Sequence, residues 1–189
     1  MNEETLSSGF FGEDITLDIY TDLKEFYTPA NGFSRLHLCR RYGKLHILKS
    51  LQPFYSSQEF YKQLLLKEFN IGYQLDHPNI RHTLGWEKND LLGNYIVLEY
   101  IDGIPLTTFI EQGKLTQALA YKFITEICNA LQYIHSKQLI HKDLKPNNIL
   151  ITHNGNNVKL IDFGLADCDD YEILKIPAGT EKYLAPEQL

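Results

Sequence analysis

The chain has 189 residues, of which 43% are hydrophobic and 12% aromatic, enough apolar material for a folded core and too much for global disorder. The net charge of −6 comes without a long basic block, so neither nucleic acid nor an anionic membrane is an expected partner. No apolar run reaches the roughly eighteen residues of a membrane-spanning helix. Three cysteines without metal-site spacing favour reduced thiols in a cytoplasmic protein.

The first part of the chain predicts a small β-sheet. Residues 1–28 are acidic and weakly patterned, and they predict at most one strand, near Lys24 to Thr28. Two strand-like runs follow, Phe33 to Arg40 and Lys44 to Leu51. In the second run, alternation puts the Lys49 ammonium on the same face as its apolar neighbours. A lysine on a core-facing surface costs free energy unless an anion meets its head, so an anionic partner is expected there.

Two helices and one further strand are predicted beyond this sheet. Apolar residues at helical spacing predict a helix over roughly Ser57 to Leu75, which ends before the turn His77-Pro78-Asn79-Ile80. The run Tyr95 to Gly103 reads as a strand that enters a loop. Leu115 to Ser136 has the clearest apolar stripe, at steps of three and four residues, and this stripe is expected to belong to the core.

The stretch from His141 to Gly164 carries the strongest chemical signal. It contains two short β-branched runs around the turn Asn154-Gly155-Asn156-Asn157, which predict a hairpin. One carboxylate, Asp143, precedes the hairpin and another, Asp162, follows it, with the amide of Asn148 alongside. Such an arrangement can place one acid near a reacting hydroxyl while the other acid and the amide bind a hard cation through oxygen.

This stretch resembles the catalytic and metal-binding loops of the eukaryotic-type Ser/Thr protein kinases, written H-R-D-L-K-x-x-N and D-F-G. The ending Gly179-Thr180-Glu181-Lys182-Tyr183-Leu184-Ala185-Pro186-Glu187 resembles the family's G-T-x-x-Y-x-A-P-E segment, and the two motifs occur in the family's order. The resemblance covers about residues 30–189. It implies an α+β, bilobal fold with an antiparallel small-lobe sheet, one regulatory helix and the first part of a mainly helical large lobe.

The resemblance also implies three segments and a set of site residues. The segments are an extension at 1–28, a small lobe with hinge at 29–101, and a partial large lobe at 102–189. ATP and Mg²⁺ are the implied cofactors, and a protein is the implied substrate. The implied catalytic residues are Asp143, Lys145, Asn148 and Thr180. The implied nucleotide-binding residues are Lys49, Glu68, Leu36, Glu99, Ile101, Leu150 and Asp162, and the implied metal ligands are Asn148 and Asp162.

Two departures from the family pattern concern the small lobe. Pro29, Asn31 and Ser34 stand where the phosphate-covering loop has glycines, and Gly32 is the only glycine nearby. Because glycine lets backbone amides approach phosphate closely, ATP is expected to be held more weakly or mainly by Lys49 and Mg²⁺. Gly72 stands one turn beyond the helix glutamate, where the family usually has a bulky apolar residue, so the helix position is expected to be less secure.

Three further departures concern the large lobe. Lys142 replaces the family's arginine, so a point charge takes the place of a planar fork. Between Gly164 and Thr180 there is no Ser or Thr, and Tyr171 is the only hydroxyl. We therefore expect that Ser/Thr phosphorylation of this loop does not switch the protein and that fixed acids take its place. The family continues with further helices beyond the A-P-E motif, so a truncated domain is expected.

Three readings follow from these observations. The leading one is an ATP- and Mg-dependent Ser/Thr protein kinase. The alternative is a catalytically silent kinase-like binding or scaffold module, or an inactive truncated fragment, suggested by the degenerate glycine loop and the truncation. A small-molecule kinase of related fold is disfavoured, because Lys145 and the segment from Thr180 to Glu187 are typical of a protein-substrate groove. The oligomeric state is left open.

Overall fold

The computed structural model describes residues 20–28, 32–166 and 180–184. The first half forms a five-stranded antiparallel sheet with spatial order β1-β2-β3-β5-β4. Its strands are β1 Thr21–Tyr27, β2 Ser34–Arg41, β3 Lys44–Leu51, β4 Thr83–Asn89 and β5 Gly93–Glu99. A helix, α1 Glu59–Tyr73, crosses between β3 and β4 and packs on one face of the sheet.

The second half combines a small sheet with helices. Strands β6 Gly103–Pro105, β7 Ile149–Thr152 and β8 Val158–Leu160 form a three-stranded antiparallel sheet in that order. Helix α2 Leu106–Glu111 follows β6 directly, and α3 Gln117–Ser136 is the longest helix described. The Thr116 hydroxyl caps α3 by accepting from the Leu119 amide, which stabilises the helix start. This architecture is the α+β, kinase-like fold that the sequence predicts.

Alternation along the small-lobe strands produces two apolar layers. On the α1 side, the layer consists of Ile47, Leu51, Leu65, Ile96 and Leu98. On the opposite face, it consists of Cys39, Leu48, Leu92, Tyr95 and Val97, and Tyr20 and Leu23 cover it. The central strands β3 and β5 are therefore buried on both faces. The face on which Lys49 points, between Ile47 and Leu51, is the one that carries α1.

The large-lobe core joins α3 to the hairpin that holds the predicted site. Phe123, Ala130 and Ile134 of α3 pack with Ile151 and Val158 of the hairpin in one buried cluster. A parallel bridge between Ile80 and Leu160 ties the segment before β4 to β8. The apolar stripe predicted on this helix is thus a core stripe, and it fixes the strands whose ends carry Asn148 and Asp162.

Several element limits differ from the sequence prediction, and two strands and one α-helix were not predicted. The first strand begins at Thr21 and ends at Tyr27, and α1 is shorter than the predicted helix at both ends. The missed elements are β4, β6 and α2. Strand β4 lacks a clean apolar alternation because both of its faces are largely half-exposed, and α2 spans only 6 residues, too few for a helical period to show.

Candidate active site

Lys49 lies at the centre of a cluster of ionised side chains beneath the small-lobe sheet. Its Nζ donates to Glu68 Oε1 of α1 at 2.6 Å and to Asp162 Oδ1 of the loop after β8 at 2.9 Å. The side chains of Lys49 and Glu68 are 7% and 5% exposed, whereas that of Asp162 is 44% exposed. The anion that the sequence requires for Lys49 is thus supplied by two carboxylates from opposite sides.

The pKa values of this cluster follow from burial and from these short contacts. Burial alone would lower the pKa of Lys49, but the charges of Asp162 and Glu68 outweigh burial and raise it. The Lys49 ammonium holds the pKa of Asp162 well below its usual range. Burial raises the pKa of Glu68 against the opposing effect of Lys49. The ammonium is therefore firmly charged, and Asp162 is a carboxylate available to a cation.

Arg81 adds a second positive charge that the sequence reasoning missed. It precedes β4, and its amide donates to the Leu160 carbonyl at 2.9 Å, which places its backbone beside the strand that leads to Asp162. Burial lowers the pKa of its guanidinium, and attraction to Asp162, Glu68 and Glu99 opposes the shift. One sequence feature could have indicated Arg81: it is a charged residue directly after the His77-Pro78-Asn79-Ile80 turn, where the chain enters the core.

A second cluster surrounds Asp143. The Thr180 hydroxyl donates to Asp143 Oδ1 at 2.7 Å and accepts from Lys145 Nζ at 2.6 Å. On the other oxygen, Asp143 Oδ2 is 2.7 Å from Lys145 Nζ and accepts from the Asn148 amide nitrogen at 2.9 Å. The four residues predicted to be catalytic therefore lie together. An ionised carboxylate has about four lone-pair sites, so Asp143 can still accept a further donor.

His141 connects the two clusters. Its Nε2 lies 3.3 Å from the Ile161 carbonyl, and its Nδ1 lies 3.4 Å from the Asp143 amide nitrogen. Burial lowers the pKa of the imidazole, which favours a neutral ring that donates from Nε2 and accepts at Nδ1. The ring also packs against Phe163 at 4.9 Å between centroids. Residue 141 thus ties the loop that holds one acid to the loop that holds the other.

Two residues of these loops have a left-handed backbone. Lys142 has a φ of 61° and Asp162 a φ of 66°, a region that residues with a β-carbon seldom adopt. Such conformations persist only where surrounding contacts enforce them, and they concentrate at functional sites. Lys142 directly precedes the predicted acid Asp143, and Asp162 is the other predicted acid, which supports reading this region as the site.

The predicted adenine-binding residues are only partly brought together. The Glu99 carboxylate is used inside the protein, because it accepts from the His82 amide at 3.0 Å and pairs with Lys159 at 3.2 Å. Only the backbone of Glu99 can therefore serve as the predicted adenine contact. Ile101 is buried, and Leu36 packs with the small-lobe layer. Leu150 is half-buried on β7, and its place beneath adenine stays a prediction.

The donor set of the site fits a magnesium ion that is also bound by a nucleotide. Within 20–28, 32–166 and 180–184, no group of three or more His, Cys, Asp or Glu side chains could hold a metal ion. The Asn148 amide nitrogen is bonded to Asp143, so its oxygen is the atom it can offer a cation. The backbone carbonyl of Asn148 accepts a hydrogen bond from the backbone amide of Ile161 at 3.0 Å. Asn148 therefore lies beside the residue that precedes Asp162. One carboxylate and one amide oxygen suit Mg²⁺ that also binds phosphate.

Some predictions concern residues outside the described ranges. Pro29 and Asn31 of the phosphate-covering loop are among them, whereas Gly32 and Ser34 are described. The activation-segment hypothesis concerns residues 165–179, and most of these, including Tyr171, lie outside the described residues. The same holds for Pro186 and Glu187. The structure does not test these predictions, and they remain predictions.

Comparison with known proteins agrees with this fold and site. The protein kinase domain family matches residues 32–189. The chain is 40% identical over 131 residues to the serine/threonine-protein kinase RUNKEL of Arabidopsis thaliana, covering 67% of this chain and 9% of that protein. It is 41% identical over 130 residues to calcium-dependent protein kinase 5 of Plasmodium falciparum, covering 66% and 22%. It is 35% identical over 147 residues to the serine/threonine-protein kinase PrkC of Bacillus subtilis, covering 75% and 22%.

The chain belongs to the protein kinase family, as the motifs predicted. It spans 9% to 22% of the length of these three relatives. In the part of the chain that the structure describes, no helix is both long enough and apolar enough to cross a membrane.

Proposed function

We propose that this chain carries the catalytic centre of a Ser/Thr protein kinase, which transfers the γ-phosphate of Mg-bound ATP to hydroxyl groups of protein substrates. The observation that carries the proposal is the pair of clusters joined by His141. In one, a buried ammonium is held between two carboxylates. In the other, a carboxylate is held by a lysine, a threonine and an asparagine.

Each residue has a role in this proposal. Glu68 holds the Lys49 ammonium, which is the group placed to bind the phosphates of a nucleotide. Asp162 and Asn148 are the residues that would hold Mg²⁺, and bound Mg-ATP would supply the transferable phosphoryl group and balance its charge. Asp143 accepts the hydrogen bond of the substrate hydroxyl and takes its proton.

Lys145 and Thr180 complete the acceptor side of the site. Thr180 fixes one oxygen of the Asp143 carboxylate while Lys145 contacts the other. A carboxylate fixed in this way presents its remaining lone pairs in one direction, which is the requirement for accepting a proton from a positioned hydroxyl. The Lys145 side chain is 24% exposed, and its ammonium would contact the transferred phosphoryl group when Mg-ATP is bound.

A phosphoryl-transfer assay tests the proposal. The purified chain is incubated with γ-³²P-ATP and Mg²⁺ in the presence of casein or histone as generic acceptors, followed by phosphoamino-acid analysis. We expect label on Ser or Thr, and a loss of about 100-fold or more in the Asp143→Asn variant, since general-base catalysis contributes that much. Turnover in Asp143→Asn close to that of the unchanged chain would contradict the base assignment.

A silent kinase-like binding module is the second candidate, and one contact favours it. Asp162 is bonded to Lys49, and an Asp162 carboxylate that stayed in this contact would have less charge to offer a metal ion. A protein that kept this contact permanently would bind nucleotide weakly or without Mg²⁺ and would not transfer phosphate. Nucleotide binding that is insensitive to Mg²⁺, together with no transfer of label, would favour this candidate.

The partner and location predictions belong to the same proposal. A protein substrate follows from the kinase assignment, and the acidic composition favours neither nucleic acid nor a membrane surface as a partner. A cytoplasmic location fits the free thiols of Cys39 and Cys128.

A further inference from the structure

Arg81 is a charged residue whose side chain has no bonded partner. It is half-buried just before β4, and in the described part of the chain its guanidinium forms neither a hydrogen bond nor an ion pair. A guanidinium carries five N–H donors and stays protonated in proteins. A charge that loses water without gaining a partner costs free energy. The unpaired guanidinium of Arg81 therefore indicates that an anion binds beside it.

The backbone of Arg81 is fixed beside the loop that carries Asp162. Its amide donates to the Leu160 carbonyl at 2.9 Å. The preceding residue, Ile80, forms the parallel bridge with Leu160, and Asp162 follows Leu160 by two residues. Arg81 is therefore anchored next to one of the proposed metal ligands.

The side chain of Arg81 lies on the face of the small-lobe sheet that carries Lys49. Thr83, two residues further along the chain, packs against Gly72 of α1, and α1 covers the face on which Lys49 points. Side chains two residues apart in an extended segment share a face. The segment runs from the bridge at Ile80 directly into β4, so Arg81 shares the face of Thr83.

The charges of the cluster act on the Arg81 guanidinium. Burial lowers its pKa, and attraction to Asp162, Glu68 and Glu99 opposes that shift. Asp162 and Glu68 are already bonded to Lys49, so Arg81 is a second cation close to the same two carboxylates. Bound nucleotide would bring further negative charge to this place, and the Arg81 donors are free to meet it.

We propose that Arg81 is a further nucleotide-binding residue, whose guanidinium contacts the phosphates of Mg-bound ATP beside Lys49. The planar fork of a guanidinium matches phosphate oxygens better than a point charge does. This cation offsets the loss of glycines from the phosphate-covering loop, where Pro29, Asn31 and Ser34 stand. The inference rests on the proposed function, and its test measures binding separately from phosphate transfer.

The test is the affinity of Arg81 variants for three probes, measured by isothermal titration calorimetry at one ionic strength. The probes are ATP with Mg²⁺, tripolyphosphate with Mg²⁺, and adenosine. Arg81→Leu removes the charge, and Arg81→Lys keeps the charge without the planar fork. Arg40→Leu is the matched control, because Arg40 belongs to the same sheet but is 48% exposed and pairs with Asp22 at 3.5 Å.

The loss of affinity should follow the phosphates of the probe. Arg81→Leu should weaken binding of Mg-ATP and of tripolyphosphate about tenfold or more, the range for losing a hydrogen bond between charged groups, and should change adenosine binding by less than about twofold. Arg81→Lys should lose less than Arg81→Leu, because the charge remains. Arg40→Leu should bind all three probes like the unchanged chain.

Either of two results would overturn the inference. One is an equal affinity of Arg81→Leu and the unchanged chain for Mg-ATP. The other is an equal loss for Mg-ATP and for adenosine, which a purely structural role of Arg81 would produce. If Arg81→Leu does not fold, as judged by circular dichroism, Arg81→Lys must still weaken both phosphate probes more than adenosine.

The same measurements separate this inference from the proposed function. A chain that shows the expected binding pattern but transfers no label would support the role of Arg81 and count against the proposed function alone. A chain that transfers label and binds Mg-ATP equally well with leucine at position 81 would overturn the role of Arg81 alone. Failure to bind any of the three probes would overturn both.

Discussion

Replacing Lys49 by methionine should destabilise the protein strongly. Methionine keeps most of the apolar stem of the side chain but removes the positive charge. The carboxylates of Glu68 and Asp162 then repel each other without the cation that they share. Glu68 then becomes a buried carboxylate without its bond of 2.6 Å. Methionine at position 49 therefore tests whether the ion pair is part of the folded structure.

The magnitude follows mainly from the Lys49–Glu68 pair. Both side chains are at most 7% exposed, and breaking a buried ion pair by removing one partner typically costs about 3–5 kcal/mol. Loss of the contact with Asp162 adds less to this free-energy cost, because the Asp162 side chain is 44% exposed and solvent screens its charge. For a domain of this size, the loss corresponds to a fall in Tm of roughly 6–20 °C.

Thermal unfolding followed by circular dichroism measures the effect. Lys62→Met is the control, since Lys62 forms a pair with Glu59 at 3.5 Å with both side chains exposed, and such pairs contribute about 0.5 kcal/mol or less. The double variant Lys49→Met with Glu68→Leu should recover part of the loss, because it removes the uncompensated charge. An equal Tm for Lys49→Met and Lys62→Met would refute the reasoning.

Three further predictions concern the same site. Thr180→Val should lower kcat about 10- to 100-fold, the range for losing a hydrogen bond to a charged group, while Thr180→Ser should retain activity; equal kcat in both variants would count against the Asp143 contact. Arg81→Leu should shift the acidic fall in Mg-ATP affinity to a higher pH than in the unchanged chain, because Glu68 loses a positive charge that opposes its protonation and its pKa rises further; superimposable pH profiles would contradict this. The free energy of unfolding in urea should exceed that of Lys49→Met by the largest amount near neutral pH, where the unchanged chain has this stability advantage in full. It should fall above the ordinary lysine pKa of 10.5, as the raised pKa of Lys49 is approached, and below the ordinary aspartate pKa of 3.8, as the lowered pKa of Asp162 is approached; an advantage that grew towards either extreme would contradict the sign.

The parts of the fold that the sequence predicted are those with a strong local period. Alternation in β3 placed Lys49 on the face that carries α1, and the β-branched runs around Asn154–Asn157 predicted the hairpin between β7 and β8. The stripe on α3 was predicted because it repeats over 20 residues. In each case, one face of the element is buried and the pattern records which one.

The parts that were missed depend on tertiary contacts. Arg81 enters a charged cluster only because the segment before β4 pairs with β8, and no local pattern indicates that pairing. Gly72 was interpreted as a weak point of the helix, since the sequence does not show that Thr83 fills the space beside it. The Lys49–Asp162 bond joins residues that are 113 positions apart, and no local pattern in the sequence indicates it.

The most direct test of the central claim is the effect of Mg²⁺ on ATP binding, measured by isothermal titration calorimetry. The claim is that Asp162 faces a magnesium-bound triphosphate held by Lys49. We expect Mg²⁺ to tighten ATP binding by about tenfold or more in the unchanged chain and by less than about twofold in Asp162→Asn, since a carboxylate is the ligand Mg²⁺ prefers. Asp102→Asn, whose side chain is 78% exposed beside β6, is the control and should behave like the unchanged chain. An equal effect of Mg²⁺ in the unchanged chain and in Asp162→Asn would contradict the account.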